Sequence, residues 1–111
     1  MLRLRVDFPN CWDGVNLDST DHKSHMSCPV NGRCDAAHPV LVHRIHALAR
    51  FPTKGGPGIT LSSGGQNSAH ADFFNAWDQT TFASRVATCI NAGITCQTDG
   101  TSVPGSVAPP T

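Results

Sequence analysis

The chain has 111 residues, with eight basic and eight acidic side chains, six histidines, five cysteines and a formal net charge of +0. That length holds one domain, the 39% apolar content excludes a disordered chain, and the charge balance gives a nucleic-acid partner no electrostatic support. No apolar run approaches the roughly 18–20 residues of a membrane span, and with eight Asp, no Glu and only Lys23 and Lys54, long charged helices are excluded as well.

Leu2, Leu4, Val6 and Phe8 alternate with Arg3, Arg5 and Asp7, the period of two of a half-buried strand, which Pro9 ends. Met1–Asp7 has neither the apolar stretch nor the small-residue cleavage site of a signal peptide. Residues 10–39 hold Asn, Asp, Gly, Ser, Pro and His with little apolar periodicity, so they read as a long loop, functional or tied by disulfides. Val40–Phe51, bracketed by Pro39 and Pro52, reads as a strand with Leu41, His43, Ile45, Ala47, Ala49 and Phe51 on one face. A helix would instead align Leu41, Ile45 and Leu48. Thr53–Gly58 is a turn, Ile59 and Leu61 a short strand, and Ser62–Gln66 a second turn.

Ser68–Phe74 alternates again, with His70, Asp72 and Phe74 on one face. The period then changes: Phe82, Val86, Cys89 and Ile90 form the apolar side of a helix, with Asp78 as N-cap and Gly93 just past its end. From Thr98 the composition of Thr, Gly, Ser, Val, Ala and Pro reads as a flexible tail or linker over 98–111. The expected fold is mainly β, a sandwich-like sheet with long disulfide-tied loops plus one C-terminal α-helix.

The five cysteines include no CxxC pair, which disfavours a zinc ribbon or a thioredoxin-type site. Low charge and the Gly and Pro content fit an extracellular domain held by disulfides. Cys11–Cys34 and Cys89–Cys96 are the favoured pairs, leaving Cys28 odd. The odd thiol and the lack of a signal peptide leave three readings open: a fragment whose partner cysteine lies elsewhere, export by another route, or a reduced cytosolic protein.

Two segments concentrate the chemistry. Asp18-Ser-Thr-Asp-His-Lys-Ser-His25 places His22 and His25 three apart, with Asp18 able to join their face in a helical turn. Such a group can ligate a cation or transfer protons, although Asp and Ser are also ordinary loop-capping residues. His70 and Asp72, two apart on a strand, would project together, the carboxylate favouring and orienting the imidazolium. If the segments meet, His22, His25, His70, Asp72 and Asp18 form one site, and His22, His25, His70 and Asp72 one divalent-metal ligand set. His38, before Pro39, reads as structural, and His43 and His46 as surface or packing residues. Trp12 and Trp77 either stack on sugar rings or fill the core. No Cys–His signature supports a cysteine nucleophile.

The segments Val6–Gly14, Leu17–Met26, Cys34 with His38-Pro-Val40, and His70–Asp78 occur in an order that resembles the secreted domain-of-unknown-function family nineteen ninety-six of fungi and bacteria, which in fungi can stand beside WSC modules. The resemblance runs from about Leu2 to Cys96. It implies secretion. It also implies that residues 1–97 are the C-terminal half of a longer domain whose missing N-terminal half carries another His-rich motif. His22, His25, His70 and Asp72 match the family's recurring polar positions. Ser27-Cys28 departs from an Ala-Tyr pair common in relatives, which makes Cys28 the odd thiol. The resulting expectation is action on extracellular or cell-wall polysaccharide through a His/Asp site, as a hydrolase. The alternatives are a non-catalytic binding module using Trp12, Trp77 and Phe74, and a truncated chain with no independent activity.

Overall fold

The alternating segment at the N-terminus forms β1 (Leu2–Asp7), with its apolar side chains half-buried and its Arg and Asp side chains exposed. In the computed structural model, which describes residues 1–107, β1 pairs antiparallel with a strand at His46–Phe51, from Leu2 opposite Phe51 to Asp7 opposite His46. Cross-strand partners share a face. One side of the ladder therefore carries Leu2, Leu4, Val6, Ala47, Ala49 and Phe51. Gly55, Ile59 and Leu61 help line a small depression of ≈ 230 Å³ at the Leu2–Phe51 end of that ladder.

Beyond Pro9 the chain turns at Asn10, one of the few buried residues, 7% exposed. Its side-chain amide donates to the Val42 carbonyl at 3.2 Å, and its oxygen accepts from the Arg44 guanidinium at 3.1 and 3.3 Å. These bonds explain why Val40–Phe51 is not one strand. The segment pairs at Val40–Leu41 and again from His46, and is drawn off the ladder between them by Asn10. A central β2 (Cys11–Trp12) pairs with β3 (Met26–Ser27) on one side and β4 (Val40–Leu41) on the other, and His46–Phe51 is β5. Cys11, fully buried, bonds to Cys34 with their Cα atoms 5.5 Å apart. Ile59 and Leu61 do not form a strand; Leu61 instead closes a tight bridge with Gly64.

Residues 68–74 form no strand either. Alternation alone does not make one, because a strand also needs a partner ladder, and none is offered here. The chain divides into two compact units, Met1–Asp72 and a second from Phe73 onward.

In the second unit Asp78 caps α1 (Gln79–Arg85), its carboxylate accepting from the Thr81 amide at 2.8 Å. The helix then widens into a π-helical turn over Val86–Ile90, closed by the Asn91 amide on the Val86 carbonyl at 2.8 Å. Gly93, at φ 65°, supplies the left-handed residue that ends it. Buried Cys89 reaches Cys96 on β6 (Ile94–Cys96), with a Cα separation of 5.9 Å. The tail expected from Thr98 is partly a strand: β7 (Ser102–Val107) pairs with β6 through a bulged hairpin, Cys96 opposite Ser102 and Ile94 opposite Val107. The rest of that tail, 108–111, lies outside the described residues. Cys28 is free and exposed. Among the described residues the protein is thus mainly β, with one helical segment and two disulfides, its strands gathered into three small antiparallel sheets.

Candidate functional site

β2 and β3 are two-residue strands, and everything between them is one loop, residues 13–25. The ladder fixes both ends of that loop, continued by the Asp13 amide on the His25 carbonyl at 3.0 Å. Such a loop is a compact Ω-type element, stabilised by its own side chains. The Asp13 carboxylate accepts from the amides of Val15 and Asn16 at 2.9 Å each and from the Asn16 side chain at 2.8 Å. These donors hold its carboxyl below the usual carboxylate range. Trp12 lies beneath, its indole N–H donating to the Asn16 carbonyl.

Asp21 organises the second half of the loop. Its Oδ1 accepts from the amides of Ser24 and Lys23 and from the hydroxyls of Ser19 and Ser24, at 2.8–3.0 Å. Four donors on one oxygen, the Ser24 amide foremost, push this carboxyl far down, so it is ionised and accepts only. That decides the neighbouring bond. Ser19 has one proton and gives it to Asp21, so the contact of Ser19 Oγ with His25 Nδ1 at 2.9 Å is a ring N–H donated to the hydroxyl. Ser19 is therefore a structural hub, and its geometry is the reverse of a serine nucleophile's, whose proton must point at the histidine.

His22 differs. Its Nδ1 faces both oxygens of Asp18, at 2.9 and 2.8 Å, so that nitrogen carries the proton and Nε2 is left to act. The imidazole, followed by the Ser19 amide, holds the Asp18 carboxyl below its ordinary range. His22 sits at φ 55°, a left-handed conformation uncommon for a residue with a side chain, and its side chain is 78% exposed. Asn16, Asp18, Ser19, Thr20, Asp21, His22 and Ser24 line an open depression of ≈ 790 Å³, and every one of them is polar.

The structure brings together Asp18 with His22 and, through Ser19, Asp21 with His25. It does not bring the second segment to them: among the described residues, no hydrogen bond or ion pair joins His70 or Asp72 to the loop. Nor do His70 and Asp72 pair with each other. Without a strand they have no common face, and His70 Nδ1 donates to the Ser68 carbonyl at 3.0 Å. Among the described residues no group of three His, Cys, Asp or Glu side chains could hold a metal ion, so His22, His25, His70 and Asp72 are not gathered as a ligand set.

One residue read as merely structural reaches the loop. His38 Nδ1 bonds Asp35 at 2.9 Å and its Nε2 bonds the Ser24 carbonyl at 2.9 Å. Both partners are acceptors, so the ring is held as imidazolium, and its pKa is raised by the Ser24 carbonyl first and Asp35 second. The three-residue spacing of Asp35 and His38 was the available signal; the link to Ser24 had none.

The two disulfides fit an extracellular domain. Among the described residues no helix is long and apolar enough to cross a membrane. A family model described as "Domain of unknown function (DUF1996)" matches residues 1–77, which include the 13–25 loop, His70 and Asp72 but not α1 or the β6–β7 hairpin. No curated protein and no solved structure matches the chain.

Proposed function

The chain belongs to the DUF1996 family, and from that premise we propose that it is a secreted domain acting on extracellular or cell-wall polysaccharide, with Asp18 and His22 as its acid–base pair. The observation that carries this reading is the His22 ring, with Nδ1–H fixed on Asp18 and Nε2 open above an all-polar depression. Nε2 takes a proton from the water that adds to the anomeric carbon, Asp18 stabilises the imidazolium that results, and the imidazolium returns the proton to the departing sugar oxygen as the glycosidic bond breaks. A lining of hydrogen-bonding side chains suits a hydroxyl-rich ligand. Asp21, Ser19 and His25 act as positioning residues that hold the loop's shape. His70, its Nδ1 on the Ser68 carbonyl, and Asp72 stand apart from this pair and take no part in the step. In the same reading, residues 1–97 are the C-terminal half of a longer domain. The exposure of Leu17, Leu41, Leu48 and Phe51 supports that part.

The test is release of reducing ends from cell-wall glucan, mannan and chitin by the chain, His22→Ala and Asp18→Asn. His22→Ala is expected to lose on the order of 10²-fold or more in rate, the usual contribution of a positioned acid–base group. Full activity in that variant, or none in the parent chain, overturns the hydrolase reading. A second reading, a non-catalytic sugar-binding module, is favoured by Phe74 and Trp77, which are 88% and 53% exposed. Glycan binding that survives His22→Ala but is lost in Phe74→Ala and Trp77→Ala would select it.

A further inference from the structure

The β1–β5 ladder has a second face, opposite the one that carries Leu2, Leu4 and Val6. Arg3, Arg5 and Asp7 lie on it opposite Arg50, Leu48 and His46, and all six residues are exposed. Arg3 and Arg50 are direct cross-strand partners. Their Cα atoms are therefore about 4.5–5.5 Å apart, and like charges in that position destabilise a sheet. Among the described residues neither guanidinium has a carboxylate or any other hydrogen-bonding partner. Arg5 is two residues along, about 6.6–6.8 Å from Arg3 by strand geometry. It is held upright by Asp7, with Nε 2.9 Å from the carboxylate and the rest of its fork free. Three arginines thus stand on a two-strand-wide face against one carboxylate, in a chain whose net charge is zero.

We propose that this face binds an acidic polysaccharide through the carboxylates on successive sugars. Arginine forks pair with planar carboxylates bidentately, and two arginines across the ladder with a third along it put three such forks on one face. The chain as a whole lacks the positive charge of a nucleic-acid binder. The proposal shares with the acid–base reading only the polysaccharide class and rests on different residues, so either can fail without the other.

The experiment titrates the full chain with oligogalacturonate at low ionic strength, with a neutral cello-oligosaccharide of equal length as control. The expected result is binding of the uronate alone, weakened as salt is raised because the contacts are exposed. Arg3→Gln with Arg50→Gln should lower the affinity at least tenfold while Arg85→Gln, in the other unit, leaves it unchanged. The double variant should melt no lower than the parent, since it removes a like-charge pair. Equal binding of the neutral oligosaccharide, equal or tighter binding of sulfated dextran, undiminished affinity in the double variant, or no binding at low salt each overturns the proposal.

Discussion

His38 fastens the floor of the candidate site by a proton on each ring nitrogen, one on Asp35 and one on the Ser24 carbonyl. Its pKa is raised in the folded chain, so the sign of the pH effect follows. The clasp is fully present below the ordinary histidine pKa of about 6.5 and is lost as pH rises through the elevated folded value. Melting temperature measured across that alkaline limb should fall more steeply for the parent than for His38→Ala; parallel curves would show that the clasp contributes nothing. At this scale the sequence was uneven. Asp18 and His22 were legible because four residues apart is close enough for any tight turn to join them. His70 and Asp72 were not, because their pairing depended on a strand that a distant partner had to complete. The disulfides were legible and the fifth cysteine left over was the right one.

At the scale of elements, the loop is set by how closely β2 and β4 approach where the loop leaves the sheet. Gly14, the second residue of the loop, has φ 80°, and a Cβ there would stand 3.0 Å from Cγ2 of Val40 on β4. The conformation would strain a side chain, and the contact would require the Val40 methyl to give way. Gly14→Ala should therefore cost about 1–3 kcal/mol, read as a lower midpoint in denaturant. It should also weaken the Trp12 indole bond to Asn16, read by indole N–H exchange. An unchanged midpoint would mean that the β2–β4 junction is slack. The same scale shows where composition misleads. Thr98–Thr111 reads as a tail from its Thr, Gly, Ser, Val, Ala and Pro composition, yet over Ser102–Val107 main-chain bonds to β6 do not ask for apolar side chains. Val40–Phe51 has the right composition for one strand but is divided by the demand of buried Asn10 for partners. The helical segment was legible from both ends, through Asp78 and Gly93, while its widening to a π-turn over Val86–Ile90 had no sequence signal.

At the scale of the whole molecule, little apolar surface is fully removed from water. Cys11, Cys89 and Asn10 are the buried residues among those described, whereas Leu17, Leu41, Phe51 and Phe74 are exposed. A ladder of two strands is only marginally stable alone, so the covalent links carry an unusual share of the fold. Chain-entropy arguments give about 3 kcal/mol for the Cys11–Cys34 bridge, which spans 23 residues, and about 2 kcal/mol for Cys89–Cys96, which spans 7. The first is also the larger loss because it anchors β2, on which both neighbouring strands and the 13–25 loop depend. Cys11→Ser with Cys34→Ser should therefore abolish amide-exchange protection at residues 11–12, 26–27 and 40–41 and release the Asp18–His22 geometry. Cys89→Ser with Cys96→Ser should loosen α1 and the β6–β7 hairpin and leave protection in the first unit intact. Protection that persists at Trp12 and Met26 in the first double variant would show that the loop and its sheet are held by side-chain hydrogen bonds alone, and that the disulfide is dispensable to the candidate site.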